Sequence, residues 1–152
     1  MSKNRHSVMI AAPVERVFAF AANFENDPHW RDEAQQMRYT SGPPVGVGTR
    51  AVETARILGQ TLETRTVTTD YEPNRRVAAK SISGPVPIVA SRDFEVIPGG
   101  TRFTYTLEGD TSGVLLFRLM GPILTRLYQK RIESYLGTLK GILETEPAAT
   151  TG

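Results

Sequence analysis

One long amphipathic segment near the carboxyl end constrains the fold of this chain more than any other feature. Apolar residues recur there at every third or fourth position, from Val114 to about Glu144, which is the period of one buried stripe on an α-helix. They are Leu116, Leu119, Met120, Ile123, Leu124, Leu127, Tyr128, Ile132, Tyr135, Leu139 and Ile142. Such a helix is roughly 45 Å long, and a large curved surface is needed to bury it. Gly121-Pro122 predicts a kink, because proline lacks the N–H that the helix uses.

The composition fits one domain and argues against several classes of protein. The chain has 152 residues, enough for a hydrophobic core, and no cysteine, which excludes disulfides and thiolate metal sites. Its 18 basic and 16 acidic residues are scattered, so we expect no nucleic-acid partner. No apolar run approaches the ~20 residues of a membrane span. Residues 1–12 do not resemble a secretory leader, so we expect a cytoplasmic protein without an integral membrane segment.

The segments before the long helix have the patterns of strands and turns. A first strand is predicted over residues 6–11, followed by a short helix that opens at Pro13 and a second short helix or turn over about residues 25–33. Further strands are predicted over residues 35–41, 49–58, 61–71, 76–83, 88–97 and 101–108, separated by turns rich in Gly, Pro and Asn. This order predicts an α+β fold with segregated elements. We expect residues 145–152 to form a disordered polar tail.

Five short motifs, in this order and spacing, resemble a known family. They are APVERVF at residues 12–18, PHW at 28–30, GVGTR at 46–50, DYEP at 70–73 and GGTRFTY at 99–105. Together with the terminal helix, they resemble the START-like (SRPBCC) superfamily, in particular its polyketide cyclase/dehydrase and lipid-transport branch. The resemblance implies a helix-grip fold, in which a seven-stranded curved antiparallel sheet surrounds the long helix. It also implies a single ligand-binding domain over residues 1–144, with a cavity for a hydrophobic small molecule.

Three polar residues are weak candidates for a catalytic role. Arg92 shares its strand face with Ile88 and Phe94, so its guanidinium either meets an acidic ligand in an apolar hollow or forms an internal ion pair. A strand bulge that turns Arg92 outward is a further alternative. Tyr105 carries a hydroxyl suited to orienting a ligand. Glu53 lies on one of two strand faces that both combine charges with apolar residues, and the sequence does not decide which face is inside.

A larger set of residues is predicted to line the cavity, where core and cavity positions have the same pattern. The set is Trp30, Met37, Tyr39, Arg92, Phe94, Phe103, Tyr105, Met120, Leu124, Leu127 and Tyr128. His29 lies near Asp27, Asp32 and Glu33, but a surface histidine in a polar turn is the better interpretation. We therefore predict no metal site and no cofactor. For Glu53, Glu63 and Arg65 a solvated strand face or a cross-strand salt bridge is favoured over the cavity.

Three functions remain open from the sequence. The leading hypothesis is binding, with or without transport, of a hydrophobic or aromatic small molecule such as a lipid or polyketide. The alternative is a cyclase or dehydratase that orients a flexible polyketide-like chain, with Arg92 stabilising an enolate and Tyr105 or Glu53 moving a proton. The third is an interaction module that signals through loops 42–48 and 84–87 at the mouth of the cavity.

Overall fold

The element order confirms the α+β architecture. The computed structural model describes residues 2–57, 59–110 and 115–145. The strands are β1 (Ser2–Ile10), β2 (Ala34–Tyr39), β3 (Arg50–Ile57), β4 (Gln60–Glu72), β5 (Arg76–Ser83), β6 (Ile88–Ile97) and β7 (Gly100–Gly109). The helices are α1 (Val14–Ala21), a short 3-10 helix (Phe24–His29) and α2 (Leu115–Thr145).

The seven strands form one antiparallel sheet in the order β1-β7-β6-β5-β4-β3-β2. Strands β1 and β2 are close in sequence but lie at opposite edges of this sheet. Helix α1 and the 3-10 helix therefore have to cross from one edge to the other, and they cover one end of the concave face. The residues that point to this face are set by the period of two along each strand.

The β6–β7 hairpin shows why its turn is rich in glycine. Gly99 and Gly100 both have positive φ angles, of 85° and 156°. A Cβ atom on Gly100 would collide with the carbonyl oxygen of Ile10, the last residue of β1. Glycine at this position thus allows β1 to pair with β7 along its whole length, from Ser2 opposite Gly109 to Ile10 opposite Thr101.

Helix α2 is gripped along its carboxyl-terminal half. Ile132, Leu139 and Leu143 are fully buried there and belong to the same core cluster as Val17 of α1. The predicted kink is confirmed, because the backbone at Met120 is non-helical (φ −124°, ψ 25°) just before Gly121-Pro122. Before and just after this kink the helix exposes large apolar side chains, so the sheet does not bury the predicted stripe over its full length. Those exposed residues are Leu119, Met120, Ile123 and Leu127.

Several predicted boundaries need correction. Strand β1 begins at Ser2 instead of residue 6, because its pairing with β7 continues through the polar amino-terminal residues. The second short helix is a 3-10 helix that ends at His29, since the chain then turns into β2. Thr145, predicted in the tail, is the last residue of α2. Predictions for Leu58, residues 111–114 and residues 146–152 lie outside the described residues. No helix in the described ranges combines the length and apolar character needed to cross a bilayer.

Candidate functional site

The concave face of the sheet and helix α2 enclose a cavity of about 420 Å³. This lies within the range of roughly 300–1,000 Å³ typical of small-molecule sites. The exposed residues Gln60 and Pro85 lie at one end of it, beside the β3–β4 turn and the β5–β6 loop. Its walls are mainly apolar and include Met37, Ala55, Ile57, Leu62, Val77, Ala79, Val86, Ile88, Ala90 and Leu107.

Charged and hydroxyl-bearing side chains gather at the opposite, inner end of the cavity. Glu53 reaches it from β3, and Arg92 and Tyr105 occupy directly opposed positions on β6 and β7. Arg31 and Glu33 enter from the turn between the 3-10 helix and β2, and Tyr128 enters from α2. We call the group formed by Asp27, Arg31, Glu33, Glu53, Arg92, Tyr105 and Tyr128 the polar cluster.

Arg92 is held by Asp27 in a fully buried ion pair. Its Nη1 and Nη2 atoms donate to Oδ1 and Oδ2 of Asp27 at 2.9 and 2.6 Å, and Nη1 also donates to the carbonyl oxygen of Ala21 at 2.8 Å. The guanidinium carbon lies 4.8 Å from the ring centroid of Phe24 and 4.9 Å from that of Trp30. This geometry leaves the charge of Arg92 paired inside the protein.

Arg31 connects this ion pair to the cavity wall. The carbonyl oxygen of Asp27 accepts from the backbone N–H of Arg31 at 2.8 Å, so the two side chains lie on the same side of the turn. Nη1 of Arg31 donates to Asp27 at 2.8 Å and to Glu53 at 2.6 Å. Burial alone would lower the pKa of Arg31, but the Glu53 and Asp27 carboxylates raise it well above its ordinary value.

Glu33 is the least satisfied carboxylate of the polar cluster. Its backbone is fixed to β3 by the N–H of Arg56, which donates to the carbonyl oxygen of Glu33 at 2.8 Å. The hydroxyl of Tyr128 donates to Oε1 at 2.9 Å, and Nη2 of Arg31 lies 3.6 Å from the same atom. The other carboxylate oxygen, Oε2, is buried and has no well-formed hydrogen bond to any described residue.

The two tyrosines of the polar cluster are held in the neutral form. Burial raises the pKa of Tyr128 well above its ordinary value, and the Glu33 carboxylate raises it further. Burial also raises the pKa of Tyr105, although Arg31 and Arg92 act in the opposite direction. Both hydroxyls therefore remain available as hydrogen-bond donors at neutral pH.

These shifts predict a loss of stability in alkali. In the unfolded chain tyrosine loses its proton near pH 10, whereas folded Tyr128 retains it. The free energy of unfolding should thus be at its full value below about pH 10 and fall as pH rises above it. Replacing Tyr128 with phenylalanine should make this decline shallower in urea titrations between about pH 8 and 11. A folded-state absorbance titration in which Tyr128→Phe removes one ionisation near that pH would contradict the assignment.

The structure brings together five of the residues predicted from the sequence. Glu53, Arg92, Tyr105, Met37 and Tyr128 all line the cavity. The ambiguity on β3 is resolved, since Glu53 lies on the cavity side. Glu63 and Arg65 are exposed and pair with each other at 3.3 Å, on the opposite side of β4 from cavity-lining Leu62 and Thr64.

Other predicted lining residues lie in the core next to the cavity. Trp30, Phe94 and Phe103 are 2%, 5% and 0% exposed, and the ring of Phe103 packs edge-on against both of the others where α1 and the 3-10 helix cover the sheet. Tyr39 packs on the 3-10 helix, where its hydroxyl accepts from the N–H of Phe24 at 3.0 Å. These four residues do not line the cavity, because α1 and the 3-10 helix fill the end of the concave face at which they lie.

Three predicted positions on α2 also differ from expectation. Leu124 is buried but is not among the lining residues, whereas Met120 and Leu127 are 40% and 57% exposed. The kink near Pro122 changes the direction of the stripe, so Tyr128 and Thr125 are the described residues of α2 that face the cavity. The loop over residues 42–48, predicted at the mouth, lies at the other end of the sheet, because Gly48 bonds to Thr68, beyond the lining residue Thr66 of β4.

Sequence reasoning missed two of the three carboxylates that pair with the buried arginines. Asp27 and Glu33 were noticed only as neighbours of His29, which is exposed and lies beside Phe20. The sequence feature that could have identified them is the group of charged residues around Trp30. They lie in the segment between β1 and β2, which has to cross the sheet. Within the described ranges, no group of His, Asp and Glu side chains is arranged to hold a metal ion.

Comparison with known proteins gives one family and a set of similar folds. Residues 1–144 match the model of the family described as "Polyketide cyclase / dehydrase and lipid transport". No curated protein sequence matches significantly. Protein TTHA0849 of Thermus thermophilus is 22% identical, with a TM-score of 0.79 over 92% of this chain and 95% of that one.

Two further solved structures have the same fold at lower identity. A START superfamily protein from Mycobacterium smegmatis is 19% identical, with a TM-score of 0.72 over 95% of this chain and 99% of that one. The Zhui aromatase/cyclase from Streptomyces sp. R1128 is 15% identical, with a TM-score of 0.76 over 97% of both chains. The curved sheet around a long carboxyl-terminal helix is thus a START-like helix-grip fold.

Proposed function

Because the chain belongs to the polyketide cyclase / dehydrase and lipid transport family, we propose that it binds a hydrophobic or aromatic small molecule in the cavity between the sheet and α2. The observation that carries this proposal is the cavity itself, which has apolar walls on six strands and a charged inner end. Burial of a ligand's apolar surface there is favourable by roughly 25 cal/mol per Å². The polar cluster would fix the orientation of the ligand.

Native mass spectrometry of the purified protein tests this proposal. We expect the protein to carry or take up one apolar small molecule per chain, and to release it when the protein is denatured. A fluorescent apolar probe should bind with the same stoichiometry and be displaced by that molecule. A protein that takes up no apolar compound by either method would contradict the proposal.

An enzyme of the cyclase or dehydratase type is a second candidate. It is supported by the two carboxylates and two tyrosine hydroxyls that line one end of an apolar cavity, where a flexible chain could be held in one shape. Arg92 suits the predicted enolate-stabilising role poorly, since its charge is paired with Asp27 and three of its five N–H groups donate to Asp27 and Ala21. Conversion of a bound polyketide-like chain into a cyclised or dehydrated product, seen by the same mass spectrometry, would favour this candidate over simple binding.

A further inference from the structure

We propose that the ligand presents a hydrogen-bond donor, and best of all an ammonium group, to the carboxylates at the inner end of the cavity. The inference rests on the proposed function, because it concerns the chemistry of the ligand in that same cavity. Of the alternatives that the sequence left open for Arg92, it follows from the internal ion pair and not from an acidic ligand.

Both guanidinium groups of the polar cluster already have carboxylate partners within the protein. Both terminal nitrogens of Arg92 are bonded to Asp27. Arg31 donates to Asp27 and Glu53 and lies beside Glu33. Its Nε is the one buried guanidinium nitrogen without a partner among the described residues, and it belongs to a group that already faces three carboxylates.

Two buried acceptor oxygens on the cavity wall lack a full hydrogen-bond partner among the described residues. The Glu33 side chain is 1% exposed and lines the cavity, and its Oε2 has no full partner in the described part of the chain. The Tyr135 hydroxyl contacts this carboxylate, since, after burial, the charge of Glu33 and a side-chain hydrogen bond to it raise the pKa of Tyr135. The contact is not a well-formed hydrogen bond, so among the described residues both Oε2 of Glu33 and the Tyr135 hydroxyl lack a full partner. Asn4 contributes a second buried acceptor on the cavity wall, since its Oδ1 also lacks a partner within the described ranges.

The charges of the polar cluster do not balance. Three carboxylates, of Asp27, Glu33 and Glu53, face the two guanidinium groups of Arg31 and Arg92, which leaves a formal surplus of one negative charge in a buried region. A ligand carboxylate would add to this surplus, whereas an ammonium group would neutralise it and a hydroxyl would donate to Oε2 of Glu33.

A matched series of naphthalene probes tests the inference on the wild-type protein. The probes carry an aminomethyl, hydroxymethyl, methyl or carboxylate group on the same ring carbon, so the apolar body stays constant. At neutral pH we expect the aminomethyl compound to bind at least ~10-fold more tightly than the methyl compound. The hydroxymethyl compound should lie between them, and the carboxylate should bind most weakly of the four.

Two variants test whether Glu33 is responsible for the preference for an ammonium group. Glu33→Gln keeps the shape of the side chain but removes its charge, so the affinity ratio of aminomethyl to methyl compound should fall about 10-fold. Glu63→Gln removes the same charge from the outer side of β4, where the carboxylate is exposed, and should leave the ratio unchanged.

The outcomes separate this inference from the proposed function. If the methyl compound binds while the ammonium compound gains nothing, or if the carboxylate binds most tightly, the inference is overturned and the proposed function stands. If none of the four probes binds, the proposed function fails and the inference fails with it. The ranking on the wild-type protein decides the matter even if Glu33→Gln does not fold.

Discussion

Replacing Asp27 with alanine is expected to lower the free energy of unfolding by about 3–5 kcal/mol. Asp27 is fully buried and pairs with two guanidinium groups at once, those of Arg92 and Arg31. Its removal leaves Arg92 with one carbonyl acceptor and places two like charges near each other without the carboxylate between them. Urea unfolding followed by circular dichroism measures the loss directly.

Asp70→Ala is the matched control for this prediction. Asp70 also pairs with an arginine, since its Oδ2 accepts from Nε of Arg76 at 2.9 Å, but its side chain is 44% exposed. Solvent screens such a pair, so the control should cost about 0–1 kcal/mol. Equal losses in the two variants would contradict the view that the buried pair organises the inner end of the cavity.

A double variant shows that the penalty comes from an unpaired charge. Replacing Arg92 with methionine in the Asp27→Ala background removes the stranded guanidinium and fills part of its volume with apolar atoms. Buried ion pairs that are replaced as a unit often cost little. The double variant should therefore be more stable than Asp27→Ala alone, whereas additive losses would argue that lost packing explains the effect.

The strands and the terminal helix could be predicted because local patterns determine them. In β7, Phe103 and Tyr105 alternate with polar residues, and both side chains are buried on the concave side of the sheet. The glycine turn before β7 and the proline kink in α2 act within a few residues of their position in the chain. Such features depend on short-range sterics, so the sequence carries them directly.

The candidate site was less predictable because it depends on contacts between distant segments. Arg92 and Asp27 are 65 positions apart, and the sequence has no local sign of their pairing. On β3 both Ala51 and Val52 are buried, so the alternation that would identify the inner face is absent. Phe94 and Ala90 lie on the same face of β6, yet one fills the core and the other lines the cavity. That difference is set by the helices that cross the sheet.

A second large effect is expected when a bulky side chain replaces a small one on the cavity wall. Ala90 lies between Ile88 and Arg92 on the cavity side of β6, so an indole at this position would occupy space that the ligand needs. Ala90→Trp should weaken binding of an apolar probe by at least ~100-fold, or about 2.8 kcal/mol. Overpacking is limited because the side chain enters an existing cavity.

Val89→Trp provides the control on the same strand. Val89 is 45% exposed and points to the opposite side of the sheet from Ala90. The control adds the same indole to β6 without entering the cavity, so it should bind the probe as the wild type does. Far-ultraviolet circular dichroism and thermal unfolding of both variants establish that they are folded before their affinities are compared.

The most direct test of the account is a fluorescence titration of one apolar probe into the wild-type protein, Ala90→Trp and Val89→Trp. We predict one site per chain in the wild type and in Val89→Trp, and no measurable binding in folded Ala90→Trp. Undiminished binding by Ala90→Trp would contradict the claim that this protein holds its ligand inside the cavity between the sheet and α2.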